Sequence, residues 1–283
     1  MRILILGASG MLGHVLLTEL SRFGFDVYGT LRHQKTIPGI DPERICSGVH
    51  AENPSSIETA LDRIRPDVVI NAIGLIRQLP EASKALPCID LNARLPHVLA
   101  GYCAQRGIRF IHYSTDCVFN GQKGTPYTEN DPVSASDIYG LSKYLGEVST
   151  PALTLRTSII GPELQTKWGL LEWFLSQNGK IQGYTKAIFT GLTTVEQARV
   201  LAEYVFPNPH LSGLYHVVSE PISKYDLLTL VSRVYKKTII IDPDDHVNED
   251  KRLSGEAFFA AVGYRAPSWP DLIQSLREKH NNA

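Results

Sequence analysis

The chain begins with a short aliphatic strand that leads directly into a glycine-rich turn. Residues 3–6 read Ile-Leu-Ile-Leu, and residues 7–13 read Gly-Ala-Ser-Gly-Met-Leu-Gly before an amphipathic helical pattern. Gly7 permits the tight turn, Gly10 leaves room for a pyrophosphate at the helix N-terminus, and Gly13 lets the helix pack closely. A turn that binds nothing is the alternative, but the strand and helix around it favour a dinucleotide site. The predicted cofactor contacts in this turn are Gly7, Ser9, Gly10, Met11, Leu12 and Gly13.

A tyrosine and a lysine lie four residues apart in a later helical segment, residues 137–148. Tyr139 and Lys143 share one helix face, and a nearby ammonium lowers the pKa of a phenol. Thr115 follows a predicted buried strand, where catalytic groups of open α/β sheets cluster. The pair taken alone is also a common helix-surface pairing. Together with the glycine turn, it predicts a ketone reduction in which Thr115, Tyr139 and Lys143 are catalytic.

Strand and helix patterns alternate through the first half of the chain, which is typical of the α/β class. Strands are predicted at residues 2–6, 26–31, 68–71, 109–113 and 153–156, with helices at 55–65, 86–106 and 137–148. This alternation predicts a Rossmann-type, doubly wound parallel sheet. The pattern loosens after Thr157, where helices at residues 169–176 and 195–205 alternate with short strands and two terminal helices follow. We therefore expect residues 1–157 to form the NADP-binding core and 158–283 mainly a small C-terminal substrate-binding lobe, with some core elements returning later in the chain.

Composition excludes several classes of partner. The chain is 43% hydrophobic and 20% charged, and its net charge of −1 gives no basis for binding nucleic acid or an anionic membrane. Its four cysteines form no zinc-binding spacing, so we expect no metal site. No apolar run approaches the roughly 18 residues of a membrane span, and no signal peptide is recognised. We expect a cytoplasmic protein.

The choice of nicotinamide cofactor depends on the end of the second predicted strand. A carboxylate about 20 residues after the glycines would hold the ribose 2′-hydroxyl of NAD. Asp26 stands too early for this role, and the strand ends in Thr30-Leu31-Arg32-His33. The planar guanidinium of Arg32 suits a 2′-phosphate, so NADPH is predicted, with NADH as the alternative. A solvated loop arginine is the other interpretation of Arg32.

Several longer sequence segments resemble those of a single enzyme family. The GxxGxxG turn with a downstream YxxxK resembles the extended short-chain dehydrogenase/reductases, over essentially the whole chain. Residues 112–121 resemble the HYSTDYVFDG segment of dTDP-4-dehydrorhamnose reductases, with Cys117 and Asn120 as departures, and residues 139–147 resemble their YGxxKLxGE. Residues 213–217 resemble their GxYHL strand. The resemblance implies NADPH-dependent reduction of the C4 ketone of a nucleotide-activated 6-deoxy sugar, in deoxysugar or polysaccharide biosynthesis.

The resemblance also assigns supporting residues. Asn71, Ala72 and Gly74 resemble the family's cofactor wall, and Asn92 matches a helix asparagine that supports the catalytic lysine. Either asparagine can instead satisfy local backbone groups. Substrate contacts are predicted from Asp116, Val118, Trp168 and Arg252, with Lys167 as a further candidate. The family often dimerises through the helices at 86–106 and 137–148, which makes a homodimer an expected assembly.

Residues that differ from the family pattern leave the identity of the sugar and the exact function undecided. Ile159 stands where the family has a tryptophan beside the sugar, and His50 replaces an acidic residue beside the adenine. A non-catalytic binding module is one alternative, because the regulatory subunit of methionine adenosyltransferase has similar motifs. A sugar-nucleotide epimerase or 4,6-dehydratase is another. Dehydratases carry Thr-Asp-Glu at the positions of Thr115, Asp116 and Cys117, so Cys117 replaces their glutamate. Epimerases usually carry an acidic residue at the position of Arg32.

Overall fold

The computed structural model describes residues 1–280. Its strands are β1 (Arg2–Leu6), β2 (Asp26–Leu31), β3 (Ile45–Ser47), β4 (Val68–Asn71), β5 (Arg109–Ser114), β6 (Leu153–Arg156), β7 (Ile159–Ile160), β8 (Lys180–Phe189), β9 (Leu192–Thr193), β10 (Gly213–His216), β11 (Ile222–Ser223) and β12 (Ile240–Asp250). Its α-helices are α1 (Met11–Arg22), α2 (Pro54–Ile64), α3 (Ala85–Cys88), α4 (Leu95–Gln105), α5 (Ile138–Leu145), α6 (Leu170–Ser176), α7 (Thr194–Val200), α8 (Lys224–Tyr235), α9 (Glu256–Val262) and α10 (Trp269–His280).

A seven-stranded parallel sheet with helices on both faces forms the centre of the molecule. Its strand order is β10-β6-β5-β4-β1-β2-β3. Side chains alternate along β1, so that Ile3 and Ile5 enter one apolar core while Leu4 and Leu6 enter the other. The first core includes residues of α1, α7 and α10, and the second includes residues of α2 and α4. The predicted α/β, Rossmann-type, doubly wound sheet is confirmed.

The later part of the chain contains long strands that the sequence pattern does not predict. β8 and β12 run parallel to each other, with a register shift between Asp244 and Asn248, and β11 pairs with the other edge of β8. β12 is rich in aspartate and asparagine, which are poor strand formers, so tertiary pairing rather than local preference creates it. β10 returns from beyond residue 157 to complete the central sheet.

The predicted helix at residues 86–106 is interrupted. A π-helical segment, Ile89–Arg94, joins α3 to α4, and such segments frequently occur at functional sites. The predicted helix at 137–148 ends earlier, at Leu145. A Cβ atom on Gly146 would lie 1.8 Å from the carbonyl oxygen of Asn92, so glycine allows α5 to end against the π-helical segment. None of the helices within residues 1–280 has the length and apolar character needed to cross a membrane.

Candidate active site

The strand order reverses between β1 and β4, which opens a crevice beyond their carboxyl ends. The chain leaves β1 on one side towards β2 and β3, whereas β4 to β6 lie on the other side. Ligands of open α/β sheets bind at such a point. Gly7 has a φ of +83°, and a Cβ atom there would lie 3.0 Å from Ile73 Cγ1 and 3.1 Å from the carbonyl oxygen of Ala72. The glycine turn and the segment after β4 therefore form adjoining walls of this crevice.

Two further glycines of the turn have distinct roles. A Cβ atom on Gly13 would lie 2.2 Å from the carbonyl oxygen of Gly7, so α1 can approach the turn only with glycine at this position. Gly10 is the N-cap of α1, and within residues 1–280 no side chain caps this helix. The nearest atom to a Cβ on Gly10 would be the Gly7 carbonyl oxygen, at 3.4 Å. The first-turn N–H groups at Met11, Leu12 and Gly13 are thus available to an anion, and the turn fits a dinucleotide pyrophosphate.

Arg32 directly follows β2 and is largely exposed. Its Nη2 lies 3.5 Å from Oε1 of Glu52, and the sequence motifs did not predict this partner. Both side chains are more than half exposed, so this ion pair is weak and Arg32 can exchange Glu52 for a phosphate. Asp26 is held by Arg2 and Arg44 at the opposite end of the strand. This pairing agrees with its exclusion from the cofactor site.

The three predicted catalytic residues lie together at the end of β5. Thr115 is buried; its Oγ accepts the Cys117 N–H at 3.2 Å and lies 3.2 Å from Asp116 Oδ1, to which it donates. Tyr139 belongs to α5, and its hydroxyl lies close to the Thr115 hydroxyl. A Cβ atom on Gly140 would lie 2.3 Å from the carbonyl oxygen of Cys117. Glycine at this position therefore lets α5 press Tyr139 against the Thr115 segment.

Burial shifts the proton affinities of the tyrosine and the lysine. Lys143 is buried, and its Nζ donates to the carbonyl oxygen of Tyr113 at 2.7 Å. Burial lowers the pKa of Lys143 to about 8, while the negative charge of Glu147 opposes this decrease. Burial raises the pKa of Tyr139 well above its ordinary value, and the Thr115 hydroxyl opposes this increase. Tyr139 therefore carries its proton at neutral pH, as an acid must before it acts.

Asn71 ends β4 and is almost completely buried. Its Oδ1 accepts the Ile73 N–H at 3.1 Å, and its Nδ2 lies 3.1 Å from Nδ1 of His112. These contacts satisfy local polar groups and hold the segment with Ala72 against the glycine turn. A direct contact of Asn71 or Ala72 with the cofactor remains a prediction.

Asn92 lies in the π-helical segment and connects three parts of the site. Its Oδ1 accepts the Leu75 N–H at 2.9 Å, and its Nδ2 donates to Ser142 Oγ at 3.3 Å. A Cβ atom on Gly74 would lie 3.1 Å from Asn92 Oδ1 and 3.8 Å from Lys143 Nζ. Asn92 thus joins the loop after β4 to α5 beside Lys143, and its cofactor role remains a prediction.

Behind Thr115 lies a buried ionic network that the motifs did not predict. Glu147 Oε1 accepts from Ser114 Oγ at 2.6 Å and from Arg156 Nε at 2.9 Å. Arg156 Nη2 donates to Glu147 Oε2 at 2.6 Å, and Nη1 lies 2.8 Å from His216 Nε2. The network joins the end of α5 to β5, β6 and β10. Glu147 occurs in the segment that resembles YGxxKLxGE, but only the fold shows that it pairs with Arg156.

The predicted substrate residues differ in their surroundings. Asp116 is buried beside Thr115, and Trp168 is exposed. Val118 is fully buried in an apolar cluster with Phe119, Tyr127 and Leu253, and its carbonyl oxygen accepts the N–H groups of Ser134 and Ala135, so a substrate contact by Val118 remains a prediction.

Arg252 and the segment around Trp168 are already engaged with other parts of the chain. Arg252 donates to both carboxylate oxygens of Asp250, at 2.7 and 2.6 Å, which largely neutralises its charge. A Cβ atom on Gly169 would lie 3.3 Å from Met11 Sδ, so the segment carrying Trp168 and the exposed Lys167 adjoins the glycine turn. Substrate contacts by Trp168, Lys167 and Arg252 remain predictions.

Comparisons with known proteins agree with this fold. The family model described as RmlD substrate binding domain matches residues 1–163. A dTDP-4-dehydrorhamnose reductase from Burkholderia thailandensis is 31% identical over 163 residues, 56% of this chain and 50% of that protein. The Haloferax volcanii protein named "Probable low-salt glycan biosynthesis reductase Agl14" is 31% identical over 234 residues, 76% of this chain and 74% of that protein. The structure of a Bacillus anthracis dTDP-4-dehydrorhamnose reductase in complex with NADP matches with a TM-score of 0.80 at 20% identity, over 98% of this chain and 99% of that chain.

The family-model match and the similarity to dTDP-4-dehydrorhamnose reductases place the protein in the extended short-chain dehydrogenase/reductase class. Within this class, the chain belongs to the RmlD substrate binding domain family. Its alignment spans only half the length of the Burkholderia relative.

Proposed function

We propose that this protein uses NADPH to reduce the C4 ketone of a nucleotide-activated 6-deoxy sugar. The observation that carries the proposal is the placement of Thr115, Tyr139 and Lys143 at the same sheet edge as an uncapped glycine turn. The names of its relatives support a nucleotide sugar as substrate and polysaccharide biosynthesis as the setting.

The reduction needs a hydride, a proton and a stable position for the reacting carbonyl. NADPH supplies the hydride when bound, with its pyrophosphate at the glycine turn. Tyr139 donates its proton to the carbonyl oxygen, and Thr115 turns its hydroxyl from Asp116 to hydrogen-bond the same oxygen. Lys143 would hold a ribose hydroxyl of the cofactor, and its positive charge would stabilise the Tyr139 phenolate after proton transfer.

The site favours reduction over elimination. A 4,6-dehydratase needs a carboxylate base beside the catalytic threonine and aspartate, and Cys117 occupies that position. Burial raises the pKa of the Cys117 thiol to about 11, so it cannot act as a base at neutral pH. Against the binding-module alternative, all three catalytic groups are present and assembled.

NADPH oxidation against a panel of nucleotide-linked 4-keto sugars tests the proposed function. We expect turnover with at least one 4-keto-6-deoxy sugar nucleotide, and none with the corresponding sugar that has no nucleotide. Tight NADPH binding without turnover of any panel member would contradict the proposal in favour of the binding module.

Cofactor preference is tested by Arg32→Ala. We expect the substitution to weaken NADPH binding by about 1–3 kcal/mol and NADH binding much less, because only NADPH carries the 2′-phosphate. Calorimetric titration of both cofactors measures this difference. Glu52→Gln is the matched control, and it should leave NADPH binding unchanged or stronger because it removes a competitor for Arg32. Equal affinity of the unmodified protein for both cofactors would contradict the assignment.

The pH dependence of reduction is expected to follow Lys143. Its ammonium form predominates below about pH 8 and is lost above it, so kcat/KM for the sugar should fall as pH rises through about 8. Glu147→Gln should move this decrease to lower pH, since it removes the charge that raises the Lys143 pKa. Glu203→Gln, at an exposed position in the π-helical segment after α7, should leave the profile unchanged. A rate that stays constant up to pH 10 would contradict this role of Lys143.

We also propose a homodimer formed through α3, the π-helical segment and α5. These neighbouring elements expose a group of large apolar side chains, namely Leu86, Ile89, Leu141, Tyr144 and Leu145. An exposed apolar group of this kind favours association. Sedimentation velocity measures the assembly, and a monomer at micromolar concentration would contradict the proposal.

A further inference from the structure

Two lysines from separate strands of the lobe lie at one level of the three-stranded sheet. Lys224 follows β11 and Lys251 follows β12. The residues before them, Ser223 and Asp250, pair with the same residue of β8, Ile188, from its two sides. The backbones of the outer strands are therefore about two strand spacings, roughly 10 Å, apart at this level.

This part of the lobe is fastened to the chain that follows Thr115. The Asp250 N–H donates to the carbonyl oxygen of Gly121 at 3.1 Å, and the Tyr127 N–H donates to the carbonyl oxygen of Arg252 at 2.7 Å. A Cβ atom on Gly121 would lie 2.9 Å from the Asp250 nitrogen, so the two segments are in close contact. Lys251 is held between these two attachments, beside the catalytic segment.

The two ammonium groups are only partly compensated. Lys251 is buried, with its Nζ 3.1 Å from Oε2 of the exposed Glu249. Lys224 Nζ lies 3.8 Å from the centre of the Phe189 ring and makes no salt bridge to any residue within 1–280. The charged and titratable groups around Lys224 are Asp116, Cys117, Lys251 and Glu249. The carboxylates of Glu249 and Asp116 supply part of the compensating negative charge, and a bound anion would add to it.

We propose that Lys224 and Lys251 bind the diphosphate of the nucleotide-sugar substrate, an assignment that rests on the proposed function. The reacting ketone lies at Tyr139, and the diphosphate is attached across the sugar ring from C4. A diphosphate in that position needs cations just beyond the Thr115–Cys117 segment, where these lysines lie. The glycine turn would hold the cofactor's own pyrophosphate, so it is not free for the substrate's diphosphate.

The neighbouring arginine does not fill this role in the structure. The guanidinium of Arg252 is already bound by both oxygens of Asp250, whereas Lys251 has a single exposed partner that a phosphate can replace. The two lysines recognise charge rather than sugar shape. They would therefore set affinity for the nucleotide, while Asp116 and the other groups near Tyr139 act on the sugar.

Ligand binding to the NADPH-saturated protein tests the proposal without requiring turnover. dTDP and UDP are titrated by calorimetry, with thymidine and uridine as phosphate-free ligands, against Lys224→Met and Lys251→Met. Methionine keeps much of the side-chain length and removes the charge. We expect each substitution to weaken the nucleoside diphosphate that binds by about 10-fold or more, with no change for the nucleosides. Inorganic pyrophosphate should compete with the nucleotide on the unmodified protein.

Lys180→Met is the matched control, because Lys180 is an exposed lysine at the far end of β8, paired with Asp242. It should bind nucleotides like the unmodified protein, and the melting temperature of each variant verifies folding. The proposal is overturned if both lysine variants bind like Lys180→Met, if nucleosides weaken equally, or if the unmodified protein binds neither diphosphate. Lysine-dependent binding without reduction of any 4-keto sugar would support this subsite and reject the proposed reaction, so the two failures are distinguishable.

Discussion

Tyr139→Phe is expected to lower kcat for reduction of a 4-keto sugar nucleotide by about 10²–10⁴-fold, with NADPH affinity nearly unchanged. The substitution keeps the aromatic ring that packs in the crevice and removes only the hydroxyl that interacts with Thr115. Because a carbonyl oxygen that gains a hydride needs a proton, the loss should appear in the chemical step. Burial keeps Tyr139 protonated in the free protein, so the acid is present before substrate arrives.

Single-turnover oxidation of bound NADPH measures the chemical step, and cofactor titration measures binding separately. Tyr144→Phe is a matched control, since this tyrosine belongs to the same helix but is largely exposed. It should reduce the sugar at the unmodified rate. Lys143→Met should impair both the rate and NADPH binding, because it removes a charge and a cofactor contact. An unchanged rate for Tyr139→Phe would mean that another group supplies the proton.

Glu147→Ala is expected to lower the free energy of unfolding by about 3–5 kcal/mol. It leaves the guanidinium of Arg156, whose side chain is only 2% exposed, without its carboxylate partner. Ser114, the residue before Thr115, loses its hydrogen-bond acceptor at the same time. The cost is large because a buried charge that has lost its partner has no access to water.

Urea denaturation measures this cost. Glu203→Ala removes the exposed partner of Arg199 and should cost only about 0–1 kcal/mol. Replacing both members of the buried pair, as Glu147→Leu with Arg156→Met, should recover much of the loss, since no unpaired charge then remains. If Glu147→Ala costs no more than Glu203→Ala, the network contributes little to stability.

Local sequence patterns were sufficient to predict the crevice that fits a dinucleotide. The glycine turn could be predicted because its requirements are backbone requirements over seven neighbouring residues: a positive φ at Gly7 and close packing at Gly13. Tyr139 and Lys143 could be predicted to share a face because helical periodicity alone places residues four apart together. Five of the seven central strands, namely β1, β2, β4, β5 and β6, were predicted to within one residue, whereas β3 was not among the predicted strands.

The substrate side was harder to predict because it depends on contacts between distant segments. Val118 follows the catalytic threonine in sequence, yet its side chain is enclosed by residues as distant as Leu253. Arg252 is a basic residue in the lobe, as expected, but Asp250 already holds it. Nothing local indicates that Lys251, its neighbour in sequence, is the buried one.

The amino-acid sequence by itself determined the class of this protein: the Rossmann-type sheet, the glycine turn and the Tyr139–Lys143 pair, all of which follow from short-range periodicity and backbone geometry. Tertiary structure alone decided which charges meet. Glu147 pairs with Arg156 because α5 ends beside β6, and Lys224 approaches Lys251 because β11 and β12 flank β8. Strand pairing between remote segments carries no local signal, particularly in the aspartate-rich β12. The positions of these charges therefore become visible only when the chain is folded.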